Sequence, residues 1–115
     1  MNTIVIYINM HNIPPTALRS TVIDICKTVY DPEIPVNIYD LGLIYDISVN
    51  DKGVANVVMT LTTPMCPVAD ILPGEVQYKI EQIQGITEVN LELTFDPPWS
   101  MSKMDEASRL EMNLF

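Results

Sequence analysis

The sequence predicts a single α/β domain of the two-layer α+β kind. Its order is α-β-β-α-β-α, with the helices packed on one face of a small mixed sheet. Two stretches carry apolar residues at helical spacing, and three carry them in alternation. Proline, glycine, asparagine and aspartate punctuate the joins. Helices with one apolar stripe and strands with one apolar face bury each other most simply as two layers.

The first helix is expected in PPTALRSTVIDICKTVYDPEIP, opened by proline and stopped at Asp31-Pro32. Leu18, Val22, Ile25, Cys26 and Val29 share its apolar stripe. LIYDISVN then alternates, placing Leu43, Tyr45, Ile47 and Val49 on one face. Asn50-Asp51-Lys52-Gly53 is turn chemistry, and VANVVMTLT alternates again through Ala55, Val57, Met59 and Leu61, which predicts a hairpin. A second helix carries Ala69, Leu72, Val76, Ile80 and Ile83 and ends near Gly85. Pro73-Gly74 either opens it or separates its first turn. ITEVNLELTF supplies a third strand with Val89, Leu91, Leu93 and Phe95 inward. After the DPPW corner, where Trp99 reads as a plug against the sheet end, Ser102 and Asp105 resemble a capping box for a helix from Lys103 to about Met112.

Residues 15–115 form the expected domain. Residues 1–14 are an N-terminal extension, either an added edge strand or disordered, and Met10 is an alternative natural start. The apolar run in MNTIVIYINM is too short to span a bilayer and lacks the flanks of a secretory signal. Acids outnumber bases 15 to 6, a formal charge of −9 with no basic cluster, so nucleic acid and anionic membrane are poor partners. Two cysteines 39 intervening residues apart make no disulfide framework, which points to a reduced, cytoplasmic protein.

Of these cysteines, Cys26 lies on an apolar stripe and reads as core. Cys66, in MTLTTPMCPVAD, lies outside both stripes, directly before a helix. A helix N-terminus favours a thiolate, and Pro67 suits a first helical position. Thr60, Thr62 and Thr63 bring hydroxyls to the same locale. A plain capping role for Cys66 is the competing interpretation. A cysteine hydrolase is disfavoured because the sole histidine, His11, sits in the extension. Asp31, Glu33 and Asp40 would suit iron or zinc beside a thiolate, although turn and cap duty explains them more simply.

Three segments together resemble a known family. DPEIPVNIYDLGLIYDI, MTLTTPMCPVAD and LTFDPPW followed by a short helix are similar to the metal–sulfur cluster biosynthetic domain family. That family includes the SUF-system maturation factor, the cytosolic iron–sulfur targeting proteins and the PaaD-like proteins. The resemblance covers about residues 15–113, with one extra threonine in the T-x-T-x-P-x-C-P pattern. It implies that Cys66 is the functional residue, supported by Asp31, Glu33, Asp40, Leu41, Gly42, Thr60, Thr62 and Pro67. It also implies a non-enzymatic accessory factor that meets assembly machinery and apo-clients, with a transient iron–sulfur cluster or iron as cargo. One thiolate cannot complete a four-cysteine site, so Cys66 would share a metal with a partner or, in a homodimer, with a second subunit. A PaaD-like accessory to a phenylacetate ring-oxygenase is one alternative, although those proteins typically carry a further cysteine-rich C-terminal segment. A metal-free adaptor is another.

Overall fold

A proline pair sets the first helix going. Pro14 is extended, and Pro15 takes the first position of α1 (Pro15–Cys26), where a missing N–H leaves no bond unmade. The computed structural model describes residues 13–63 and 71–112, so the expected roles of residues 1–12, Cys66, Pro67 and Ala69 lie outside the described residues. Leu18, Val22 and Cys26 are the buried stripe of α1. The helix stops before the predicted Asp31. The Thr28 and Val29 N–H groups bond three residues back, to Ile25 and Cys26, and this tightening ends the α-helical ladder. Val29 remains fully buried from the loop, whereas Ile25 is half-buried.

The predicted hairpin is β1 (Ile44–Val49) against β2 (Val54–Met59), antiparallel. Asn50 organises its turn, its side-chain oxygen accepting from the Lys52 and Val54 N–H groups. Along β2 the alternation holds: Ala55, Val57, Met59 and Leu61 beyond it are buried. Along β1 it does not hold throughout. A bulge at Ile44–Asp46 sets Ile44, not Tyr45, opposite Met59, which displaces Tyr45 from the expected series.

β3 (Glu88–Leu93) runs parallel to β2 and is reached through α2 (Ile71–Glu81), giving the sheet order β1-β2-β3. α1 packs on β1, α2 packs on β3, and the two helices touch, so one layer of helices covers the predicted mixed sheet. Leu72, Val76 and Ile80 face this core. Pro73-Gly74 falls within the first turn of α2 as described, where a missing N–H costs least. Phe95 departs from expectation: it is 37% exposed. Strand pairing ends at Leu93, and the Asp96 N–H turns back to the Thr94 hydroxyl, which breaks the period-two pattern. The capping box departs too. Met101–Lys103 is a separate 3₁₀ turn, and Asp105 itself caps α3 (Glu106–Glu111) by accepting from the Ser108 N–H at 2.9 Å.

Cys26 is fully enclosed, and burial pushes its thiol from the ordinary 9.0 up to about 11. The unfolded chain therefore releases this proton before the folded one does. Stability is complete below about pH 9 and falls as pH rises toward about 11, by roughly 2–3 kcal/mol from this group. Urea melts across that window should show a steeper decline for the wild type than for Cys26→Ala. Equal declines would contradict the assignment. Native-state alkylation near neutral pH should leave Cys26 unmodified.

Candidate functional site

The segment DPEIPVNIYDLG folds as two capped turns. Burial leaves Asp31 only 6% exposed, and its Oδ1 accepts from the N–H groups of Glu33 at 2.8 Å and Ile34 at 2.9 Å. A bridge between Tyr30 and Asn37 closes this loop. Asn37 then starts one helical turn: its Oδ1 accepts from the Tyr39 and Asp40 N–H groups, while its amide donates to the Asp40 carboxylate at 2.9 Å. The turn ends at Gly42, whose φ of +84° is a left-handed conformation. The Leu43 N–H reaches the Ile38 carbonyl and the Gly42 N–H reaches that of Tyr39, the paired bonds of a Schellman stop. Ile38 and Leu43, the apolar pair that accompanies such a stop, are both fully buried.

The orphan carbonyls of this turn are satisfied from the far end of the chain. Trp99 Nε1 donates to the Leu41 carbonyl at 2.7 Å, and the Asp105 N–H donates to that of Asp40 at 2.8 Å. Trp99 is thus half-buried against the core with its one polar atom matched. On the other side, the Thr60 N–H donates to the Leu43 carbonyl, which ties the turn to the end of β2. Tyr45 donates its phenol proton to the Pro97 carbonyl at 2.7 Å. Burial raises the Tyr45 pKa, and a hydrogen bond with the Thr60 side chain partly opposes that.

Asp40, Leu41, Gly42 and Thr60 therefore sit in or against one braced turn, and Asp31 caps the loop before it. Leu41 and Thr60 are fully buried, Thr62 is half-buried, and Glu33 is exposed in the first capped loop. Among the described residues, no group of three or more His, Cys, Asp and Glu side chains comes together to hold a metal. What the arrangement does is fix the backbone at the end of β2 through Thr60. Sequence reasoning missed two contributors, Asn37 and the Trp99 bond to Leu41. An asparagine five residues before a glycine, as in NIYDLG, is the signal for the capped turn.

The fold and this turn define a small α+β domain in which one acidic, glycine-stopped motif is braced by a C-terminal Trp corner. A family profile described as iron-sulfur cluster assembly protein matches residues 19–92, and the chain belongs to that family. A Porphyromonas gingivalis protein named Fe-S protein maturation auxiliary factor is 47% identical over 91 residues, 79% of this chain and 87% of that protein. The Bacillus subtilis Fe-S protein maturation auxiliary factor YitW is 30% identical over 98 residues, 85% of this chain and 96% of its own. A crystal structure of a domain of unknown function from Bacillus anthracis superposes with a TM-score of 0.80 at 25% identity, covering 88% of this chain and 96% of that one. A conserved hypothetical protein from Thermotoga maritima gives 0.74 at 35% identity, over 89% and 96%. No helix among the described residues is long and apolar enough to cross a membrane.

Proposed function

We propose that this protein is an auxiliary factor in the maturation of iron–sulfur proteins, acting in the cytoplasm through protein contacts rather than by turnover of a substrate. The observation that carries this is the 47% identity to a maturation auxiliary factor along most of both chains. Cys66 is the residue that handles iron or cluster in transit. Two facts support that choice. The chain has two cysteines, and the other, Cys26, is enclosed with its thiol pushed up to about 11, which makes it a poor ligand and a poor nucleophile.

The cargo needs more thiolates than one chain offers. A client or a donor protein supplies them more readily than a second copy, because two chains of charge −9 repel. A metal-free adaptor draws on one observation: the Asp31 and Asp40 carboxylates are engaged as turn acceptors. The test is anaerobic mixing of the protein with a cluster donor and an apo-client, followed by iron and sulfide analysis of each separated species. The expected result is faster transfer with wild type and Cys26→Ala, falling to the unassisted rate with Cys66→Ser. Full transfer by Cys66→Ser would favour the adaptor. A stable stoichiometric cluster on the isolated monomer would overturn the shared-ligand scheme.

A further inference from the structure

We propose that the ridge formed by Tyr30 and Ile71 docks a basic segment of the iron–sulfur client, one in which lysine or arginine flanks an aliphatic or aromatic side chain. This rests on the maturation function above and adds the chemistry of the partner. Tyr30 is 58% exposed and Ile71 67%, values far from those of the core. The two line a depression of about 100 Å³ with Pro32, Leu72 and Glu75. Tyr78, 64% exposed, lies two turns along α2 from Ile71 and extends the same helical face. Tyr30 also borders a second depression of about 380 Å³, lined by Asp40 and Glu111 with Asn37 and Met112.

Charge decides the occupant. Asp40 and Glu111 line the larger depression, and Glu75, paired with Lys79 on the same helix, lines the smaller; none of the six lysines and arginines lines either. Four of those cations have partners. Lys79 pairs with Glu75 at 3.5 Å, Lys27 and Lys103 sit over the Tyr39 and Tyr45 rings, and Arg19 Nε donates to the Ile47 carbonyl. Lys52 is on the hairpin turn, and Arg109, on α3 with Glu111, has its Nε buried rather than in either depression. An apolar ridge bordering a hollow with Asp40 and Glu111, on a chain of charge −9, attracts a cationic segment with an apolar tip, and it repels a second copy of this acidic chain. Place matters too. Ile71 follows Cys66 by five residues, so a segment docked there lies within about 18 Å of the cysteine along the backbone.

The test uses the full chain and a fluorescein-labelled peptide alternating lysine with leucine and tryptophan. Matched peptides carry glutamate or serine in place of lysine. Fluorescence polarisation should show binding of the lysine peptide, weakened by salt, and none of the glutamate peptide. Tyr30→Ser with Ile71→Ser should raise its Kd about tenfold. The near-isosteric Glu75→Gln should raise it about threefold. Met101→Ser, at an apolar side chain 50% exposed elsewhere, should leave it unchanged. Equal weakening by Met101→Ser, equal binding of the glutamate peptide, or no binding of the lysine peptide would overturn the proposal. So would a wild-type dimer that Tyr30→Ser with Ile71→Ser splits, which would make a second copy the occupant. Client activation measured in parallel separates the two claims. If Cys66→Ser fails and the ridge variant matches wild type, the docking surface falls and the maturation function stands. If clients are activated as well without the protein, the maturation function falls, and the ridge is then no client site.

Discussion

Gly42→Ala is expected to lose about 4 kcal/mol or more, a large share of the roughly 5–15 kcal/mol that small domains hold in total. Two independent penalties meet there. The backbone φ of +84° is strained for any residue with a β-carbon, at about 1–3 kcal/mol. The added methyl would also lie 2.2 Å from the Lys103 carbonyl oxygen and 2.9 Å from the Lys103 β-carbon. That neighbour cannot easily withdraw. Trp99 and Asp105 on either side of it are bonded to the carbonyls of Leu41 and Asp40, so moving Lys103 pulls on both. Gly74→Ala is the control. Its methyl meets nothing within 4 Å, and a helical glycine replaced by alanine should gain about 0.5–1 kcal/mol. Urea melts of the two variants should therefore move in opposite directions. A loss below about 1 kcal/mol for Gly42→Ala would show that the C-terminal brace yields, contrary to the bonding described.

The sequence and the structure agree where one physical signal dominates. Ala55, Val57, Met59 and Leu61 alternate without interruption, and all four are buried. Leu72, Val76 and Ile80 repeat at helical spacing, and all three face the core. Agreement fails where a bulge or a local hydrogen bond interrupts the periodicity. Tyr45 continues the pattern of its strand on paper, but a bulge sets Ile44 opposite Met59 instead. Phe95 continues the next pattern, but the Thr94 hydroxyl captures the Asp96 N–H and the strand is over. At the site, the acidic residues were legible as turn formers, and Asp31 and Asp40 accept hydrogen bonds as such. The bonds from Trp99 and Asp105 were not legible. They span 58 and 65 residues of chain, and no local pattern in a single sequence encodes such a pairing.

Asp31→Ala is expected to cost about 2–4 kcal/mol, and Asp31→Asn less than about 1 kcal/mol. Asp31 is 6% exposed, so alanine would strand the Glu33 and Ile34 N–H groups with little water to replace the carboxylate. Each stranded donor costs about 1–3 kcal/mol, the lower part of that range applying to Glu33 because its loop is exposed. Asparagine keeps an oxygen where Oδ1 stands, so both bonds survive its loss of charge. This contrast bears on function because the resemblance places Asp31 among the supporting residues of Cys66. If its work is to shape the turn, Asp31→Asn should match wild type in both thermal melts and client transfer, while Asp31→Ala fails in both. If its work is electrostatic, the asparagine variant should melt like wild type and yet transfer poorly, because charge is the one property it lacks. The bonds to two backbone N–H groups favour the first outcome. A folded, transfer-deficient Asp31→Asn would instead put the carboxylate to work on the cargo or the client.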